Sequence, residues 1–406
     1  MFKKLTASGE WTFLETHPWI NFRLDLKHAS HRLWMLLGEA SSKCEHLAGV
    51  PLRPDTAARL SEIYLAKGVH ATTNIEGNTL SEEQVRQQIK RELTVPPSQQ
   101  YLQQETQNII DACGEIVENL WRESSSDITL EDIKHFNEMV LRDLPEAEGV
   151  VPGEFRHHSV GVLTYRGAPW KECEPLTRCL ADWLNGPDFN TDDPQMRFPL
   201  LILKAVVAHL YLAWIHPFGD GNGRTARLLE FQILARSGLV SLPAAHLLSN
   251  HYNKTRTRYY AELDRSSKTE DGPIKFFEYA CEGFVDGLRE QLRTIREQQL
   301  DVTWVNYVHD QFRDETPTKT VERRKYLLLD MPKEYIAKRD ITSVSSRVAR
   351  AYAGKSEKSL TRDINFLLSA SLLEEKDNKY RPNRNIILAF LPPKAPKHSS
   401  ESKSRK

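Results

Sequence analysis

The stretch "HPFGDGNGRTAR", His216 to Arg227, has an odd composition. A histidine and an acid flank a glycine-rich turn, and two arginines follow three residues apart. Helical apolar periodicity precedes and follows it, so the turn joins two helices. The unpaired N–H groups at the start of the second helix, together with its dipole, make an anion nest. Gly219, Gly221 and Gly223 let the backbone approach a phosphate closely and take positive φ where needed. Arg224 and Arg227 can both face that nest and fork phosphate oxygens. Asp220 would be repelled by a phosphate unless a divalent cation lay between them, which makes it a candidate magnesium ligand. His216, with an ordinary pKa near ~6.5, can take a proton from an attacking hydroxyl at neutral pH. A histidine before proline or a Gly-x-Gly turn is by itself usually structural, but all of these groups within twelve residues point to a nucleotide. The lysine of a P-loop is absent, which argues against an ordinary ATPase.

The same twelve residues match in full the signature His-x-Phe-x-Asp/Glu-Gly-Asn-Gly-Arg-x-x-Arg, and the chain resembles the Fic (Fic/Doc) domain family over roughly residues 10 to 285. The resemblance implies a compact helical fold and, most often, transfer of AMP from ATP to a hydroxyl side chain of a target protein. Other members transfer phosphate or other nucleotides, or remove AMP. By position, the resemblance makes His216 the general base, Asp220 the Mg2+ ligand and Phe218 a buried anchor of the loop. Gly221, Asn222 and Gly223 would form the anion hole, Arg224 would contact the phosphates, and Arg227 would hold the γ-phosphate. The segment from "GEFRHHSVGV" to "YRGAPW" lies where the family places its flap, a hairpin that docks the target protein by strand addition. "NHYNKTRTRYYAELD" resembles the segment around the adenine pocket, with Asn253, Tyr259 and Tyr260 as candidates.

A second resemblance lies earlier in the chain. "TTNIEGN", Thr72 to Asn78, is similar to the inhibitory motif Ser/Thr-x-x-x-Glu-Gly/Asn of regulated Fic proteins, which marks Thr72, Glu76 and Gly77. Glu76 on a helix that ends at Gly77 could pair with Arg227 and remove the arginine that orients the γ-phosphate. A plain helix end capped by Gly77 is the structural alternative. Whether Glu76 acts within its own chain or on a neighbour in a homodimer is left open by the sequence.

The elements that must position these groups are mostly helical. The chain has 406 residues, 40% hydrophobic and 27% charged, enough for two or three domains. The amino terminus lacks the apolar core of a signal peptide, and the apolar stretch from Phe198 to Ile215 is interrupted by Lys204 and His209. It reads as a central buried helix, with no membrane partner and a cytoplasmic location expected. Five cysteines without a C-x-x-C pair indicate neither a disulfide framework nor a zinc site. "LDLKHASHRLWMLLGEASSKCEHLAG" reads as an amphipathic helix using Leu26, Ala29, Leu33, Leu36 and Leu37. "ARLSEIYLAKGVHATTNIEGN" reads as a helix broken at Gly68 and a short one ending near Gly77. A helix is expected to start at Thr129, and "GEFRHHSVGVLTYRGAPWKECEP" is the best hairpin candidate before residue 300.

Composition changes beyond Thr316: residues 317–406 hold 21 basic and 10 acidic side chains in a chain of zero formal net charge. There, "EKSLTRDINFLLSASLLEE" reads as an amphipathic helix and "KDNKYRPNRNIILAFLP" as a strand, a turn and a strand, the layout of a winged helix-turn-helix. A DNA partner would meet Lys358 and Arg362 on the helix and Lys379, Arg381 and Arg384 in the wing, unless this is a solvated face of a protein-docking domain. The expected fold class is therefore mainly α: a Fic-type helical bundle with a short β-hairpin flap, followed by a winged helix-turn-helix domain. The expected divisions are residues 1–115 with the inhibitory motif, a catalytic core at 116–300, the winged helix at 301–393 and a disordered basic tail at 394–406.

Overall fold

A computed structural model describes residues 11–120, 127–145, 147–162 and 165–388. The basic tail expected at 394–406 lies outside the described residues, as do Leu163 and Thr164. The chain divides into two compact units, Met1–Leu292 and Arg293–Lys406.

The first unit is a helical bundle. In chain order its helices are α1 (Phe13–Thr16), α2 (His31–Gly49), α3 (Pro54–Ile75), α4 (Glu82–Ile89), α5 (Gln100–Asn119), α6 (Leu130–Leu141), α7 (Cys173–Leu184), α8 (Pro194–Ile215), α9 (Asn222–Arg236), α10 (Leu242–Ala245), α11 (Leu247–Lys254), α12 (Arg256–Ser266) and the part of α13 (Gly272–Gln311) up to Leu292, the remainder belonging to the second unit. The axis of the bundle is α8, whose residues from Ile202 to Ile215 are almost all buried, with α7 and α9 packed along it. By length and composition α8 could cross a membrane, but 83% of its most apolar window is buried against its neighbours, as a core helix requires. The cysteines are all free and buried.

Local chemistry sets most helix ends. Thr129 caps α6 by accepting from the Asp132 N–H, and the Asp132 side chain returns to the Thr129 N–H, a reciprocal capping box that places the start where the sequence reading put it. Ser30 caps α2 through the Leu33 N–H, so this helix begins at His31 and leaves Leu26 and Ala29 in the turn before it, where the Ala29 N–H donates to the Leu26 carbonyl at 3.0 Å. Apolar spacing ran on through those two residues, but a satisfied N-cap overrides periodicity. The expected break at Gly68 is also absent. Helix α3 passes through Gly68 unbroken, because the missing side chain is filled by a neighbour: a Cβ there would stand 2.2 Å from His246 Nδ1. The helix ends instead at Ile75, with Glu76 as its C-cap and Gly77 at φ +105°.

The expected hairpin is present and short. Strands β1 (Gly161–Val162) and β2 (Tyr165–Arg166) pair antiparallel, Gly161 opposite Arg166. Tyr165 anchors it to the bundle by donating its hydroxyl to the Trp214 carbonyl at 2.8 Å.

The second unit has its own core, built on Trp304, Val308, Leu327, Leu328, Ile341, Val348 and Leu367. Around it lie α14 (Lys319–Asp330), β3 (Ile336–Ala337), α15 (Ser346–Tyr352), α16 (Glu357–Ser369), β4 (Leu373–Lys376) and β5 (Lys379–Pro382). The sheet order is β3-β5-β4, all antiparallel. The hairpin sits earlier than the sequence reading placed it. Asp377 and Asn378 both take positive φ and make the two-residue turn, and Arg384–Leu388 forms a 3-10 turn instead of a strand.

Gly68 supplies a test of this packing. Glycine to alanine inside a helix ordinarily gains ~1 kcal/mol, but Gly68→Ala should lose ~1–3 kcal/mol because the buried His246 ring cannot yield. Urea unfolding decides it, since a midpoint equal to or above that of the parent would show that His246 moves aside freely.

Candidate active site

The junction between α8 and α9 builds the site. The chain leaves α8 at His216, which takes the left-handed conformation (φ 51°, ψ 57°), an uncommon geometry for a residue with a side chain. Arg156 holds it there. This buried guanidinium donates from Nε to the His216 carbonyl at 2.7 Å, from Nη1 to the His158 carbonyl at 2.7 Å, and from Nη2 to the Ala168 carbonyl. One cation thus ties the turn to both flanks of the hairpin.

The rest of the loop closes on itself. Asn222 accepts from the Phe218 N–H at 2.9 Å and donates to the Phe218 carbonyl at 2.8 Å, a two-bond clasp across the turn. Phe218 is fully buried, stacks on Phe155 with ring centroids 5.5 Å apart, and forms an isolated β-bridge with it. From α6, Asn137 donates to the Asp220 carbonyl at 2.9 Å and accepts from the Gly153 N–H at 3.0 Å. Gly221 has φ +76°, and a Cβ on it would sit 3.0 Å from Asn137 and Val140, so both conformation and space require glycine. Gly219 meets Val150 as closely, with a Cβ-to-Cγ2 distance of 2.8 Å.

These contacts aim the first turn of α9, with N–H groups that no intrahelical carbonyl satisfies, at a cavity of about 470 Å³. His216, Gly219 to Gly223, Arg227, Tyr259 and Tyr260 line it, with Val160, Gly161 and Tyr165 of the flap segment on another wall. Burial pushes the His216 imidazole down to about 4, the Ala213 carbonyl and the nearby acids opposing this only in part. Its Nδ1 lies 3.3 Å from the Ala213 carbonyl, which can only accept, so the neutral ring carries its proton there and keeps the Nε2 lone pair free. The Asp220 carboxylate is 58% exposed, accepts from the Gly221 N–H at 2.6 Å and lies 3.3 Å from Arg224 Nη2.

Both arginines are engaged by acids. Arg227, fully buried, donates from Nη2 to Glu76 at 2.5 Å and to the Thr72 carbonyl at 3.0 Å. Thr72 therefore contributes its main chain to this contact. Burial alone would raise the Glu76 carboxyl, but Arg227, Arg224 and His216 together hold it below the ordinary carboxylate range. A Cβ on Gly223 would lie 2.3 Å from Glu76 Oε1, so the carboxylate rests directly on the first turn of α9. Arg224 donates to Glu105 at 2.5 Å. Among the described residues, Nε of Arg224 and Nε of Arg227 are buried without any partner.

Tyr259 is buried beneath the cavity, bonded to His209 Nε2 at 2.8 Å and stacked on Tyr252, and the Tyr260 hydroxyl reaches the Ile75 carbonyl at 3.4 Å. Asn253, on α11, is not among the residues lining the cavity. Arg381, on β5, is paired with Glu374 on the facing strand β4, and Arg384, just beyond the hairpin, with Asp301; Lys358, Arg362 and Lys379 are exposed. Consecutive residues gave no sign of the second pairing, because Asp301 is 83 residues from Arg384.

Sequence reasoning also missed Asn137, Arg156 and Glu105. Asn137 left a trace, a lone amide in the apolar stripe Ile133, Phe136, Val140. Arg156 and Glu105 left none, since both look like ordinary charged positions until the fold closes around them.

A helical bundle that brings a histidine, an anion nest and the buried Arg227 to one cavity, with the buried Arg224 on an adjoining one, is the framework of a nucleotide or phosphate-transfer site. Residues 127–234 match the model of the Fic/DOC family, and the chain carries a Fic/DOC domain there. The chain is similar to protein adenylyltransferase fic-1 of Caenorhabditis elegans, 33% identical over 216 residues, which is 52% of this chain and 39% of that protein. It is likewise similar to protein adenylyltransferase Fic of Nematostella vectensis, 29% identical over 247 residues, 61% of this chain and 53% of the other. The chain thus spans about half or less of the length of these relatives. Among solved structures, C. elegans Fic-1 superposes with a TM-score of 0.54 at 26% identity, over 66% of this chain and 73% of that one. A Fic family protein from Desulfovibrio desulfuricans G20 shares the fold, with a TM-score of 0.52 at 20% identity, over 87% of this chain and 96% of that one.

Arg156→Lys tests how the turn is held. A lysine keeps the charge but cannot reach three carbonyls in a fixed fork, so stability should fall by ~2–3 kcal/mol as buried acceptors lose their donors. Thermal unfolding at matched pH measures this; an unshifted midpoint would mean that the His216 turn is held by other groups.

Proposed function

We propose that this protein is a protein adenylyltransferase that transfers AMP from ATP to a Ser, Thr or Tyr hydroxyl of a target protein, and that Glu76 holds it inhibited. The observation that carries the reading is a neutral His216 beside the first turn of α9 and the buried Arg227, whose Nε has no partner, all lining one cavity suited to polyphosphate next to a base. The names of the similar proteins support it.

His216 Nε2 takes the proton of the target hydroxyl as its oxygen bonds to the α-phosphorus. The bond to the bridging oxygen breaks, and pyrophosphate leaves with that electron pair. The α9 N–H groups and the arginines stabilise the charge that develops, so catalysis here is mainly positioning and electrostatics. Strands β1 and β2, on the wall facing His216, would receive the target as an added strand.

The donor set suits Mg2+ in a particular way. Among the described residues no group of three or more His, Cys, Asp or Glu side chains could hold a metal alone. Asp220, exposed at the mouth of the anion nest, fits a magnesium ion that takes one carboxylate from the protein and the rest of its oxygens from phosphates and water. Bound there, the ion would neutralise phosphate charge during transfer.

Glu76 occupies Arg227 and leans on Gly223, so ATP binding beside it lacks the arginine that would align the γ-phosphate. In the second unit, helices followed by the β4–β5 hairpin form the arrangement we read as a winged helix.

Two outcomes are expected. With α-labelled ATP, Glu76→Gly should label itself or a lysate protein at least ~10-fold faster than the parent, an increase of at least ~1.4 kcal/mol in transition-state stabilisation. Adding His216→Ala should abolish the labelling. A Glu76→Gly protein that transfers nothing, or transfers a group whose mass is not that of AMP, removes the reading. The rate of Glu76→Gly should also be level through pH 6.5 and fall only as pH approaches about 4, because burial keeps His216 neutral down to there. Initial rates across pH 5–8 measure this, and a step centred near ~6.5 would mean a solvent-exposed base.

A further inference from the structure

Arg227 is restrained by Glu76, and Arg224 is restrained as fully. Arg224 is 7% exposed on its side chain; its Nη1 lies 2.5 Å from Glu105 Oε1, and its Nη2 is 3.3 Å from Asp220. Glu105, on α5, is itself only 12% exposed. Its second oxygen accepts from Asn78 Nδ2 at 2.8 Å. Asn78 follows Glu76 by two residues and is buried, and its amide also donates to the Leu102 carbonyl at 2.9 Å. Its own carbonyl accepts from Asn74 Nδ2 at 3.0 Å, closing the end of α3 onto α5. Both acids that hold the motif's arginines therefore hang on one hydrogen-bonded frame.

A second cavity, of about 510 Å³, makes the consequence spatial. Arg224 and Glu105 line this cavity, whereas His216 and Arg227 line the other; Glu76 and Asp220 are shared by both. A polyphosphate whose α-phosphate lies near His216 reaches Arg224 only past Glu76 and Asp220. Around the two guanidiniums stand three carboxylates, Glu76, Glu105 and Asp220, so an arriving polyanion meets local charge that is already more than balanced. Removing Glu76 frees Arg227 and opens the shared wall, but it leaves Arg224 forked between two acids.

We propose that Glu105 is a second inhibitory carboxylate, which withholds Arg224 from the nucleotide's phosphates as Glu76 withholds Arg227, with Asn78 holding both in register. This rests on the adenylyltransferase reading for the identity of the ligand. The release of the site has two stages: Glu76 leaving Arg227, then Glu105 yielding Arg224. The contrary role, in which Glu105 orients Arg224 for phosphate, predicts the opposite sign throughout.

The test compares the full chain with Glu76→Gly, Glu105→Gln and the double variant, using Mg2+-ADP and adenosine as binding probes and α-labelled ATP for transfer. Glu105→Gln should bind ADP ~10-fold more tightly than the parent, within the usual range of a coupling between sites, with adenosine affinity unchanged. The double variant should label faster than Glu76→Gly by a similar factor. Glu105→Asp keeps the charge on a shorter stem, and its ADP affinity should fall between the two. Should Glu105→Gln fail to fold, as judged by its melting curve, Glu105→Asp carries the binding arm alone and must still tighten ADP. Unchanged or weaker ADP binding overturns the proposal, as does a double variant slower than Glu76→Gly. Absence of labelling by Glu76→Gly would instead count against the adenylyltransferase reading, and ADP binding would still decide the role of Glu105.

Discussion

The reversal of the chain between α8 and α9 is the constraint on which the site depends. Between Ile215 and Asn222 the backbone must leave one buried helix and begin another while keeping its N–H groups pointed at a cavity. The Asn222 side chain does this by bonding both the N–H and the carbonyl of Phe218. That clasp fixes where α9 starts, and α9 in turn carries both arginines at a spacing that faces them inward. Phe218 locks the loop into the core, Asn137 holds the Asp220 carbonyl, and Arg156 stabilises the left-handed turn at His216. Each neighbour satisfies a polar group that would otherwise be buried alone, at a cost of several kcal/mol in an apolar setting.

Electrostatics follow from that geometry. A guanidinium buried as deeply as Arg227 needs an anion, and in this state Glu76 provides it. The same need explains Glu105 beside Arg224. Carboxylates thus satisfy both buried guanidiniums and help fix the resting shape of the site. Glu105 lies on α5 and Glu76 caps α3, and these helices also pack on each other, so the contacts are part of the bundle and not of an appended segment.

Much of this architecture was readable in residue order. The motif at 216–227, the central helix, the capping box at Thr129 and the hairpin rest on local signals: spacing, turn chemistry and caps. Where local signals competed, the structure decided. Ser30 ended the apolar run that had included Leu26 and Ala29, and His246 packing allowed Gly68 to stay helical. The turn at Asp377 and Asn378 places the β4–β5 hairpin earlier than expected, because two positive-φ residues in succession reverse the chain there.

The sequence by itself determined which groups could do chemistry, since a histidine, a glycine-rich turn at a helix start and an acid beside it are specified by residue type and by spacing within one turn. It also pointed to Glu76, through a short motif at a helix end. Only the tertiary structure decided which charges meet. Arg227 and Glu76 are 151 residues apart, and Arg224 and Glu105 are 119 apart. Packing of α3 and α5 against α9 brings them within hydrogen-bond reach, and nothing in the order of the residues encodes that distance. For the same reason Arg384 meets Asp301, a partner 83 residues away in its own unit. A charge is visible in sequence, but whether it is free is a property of what folds against it.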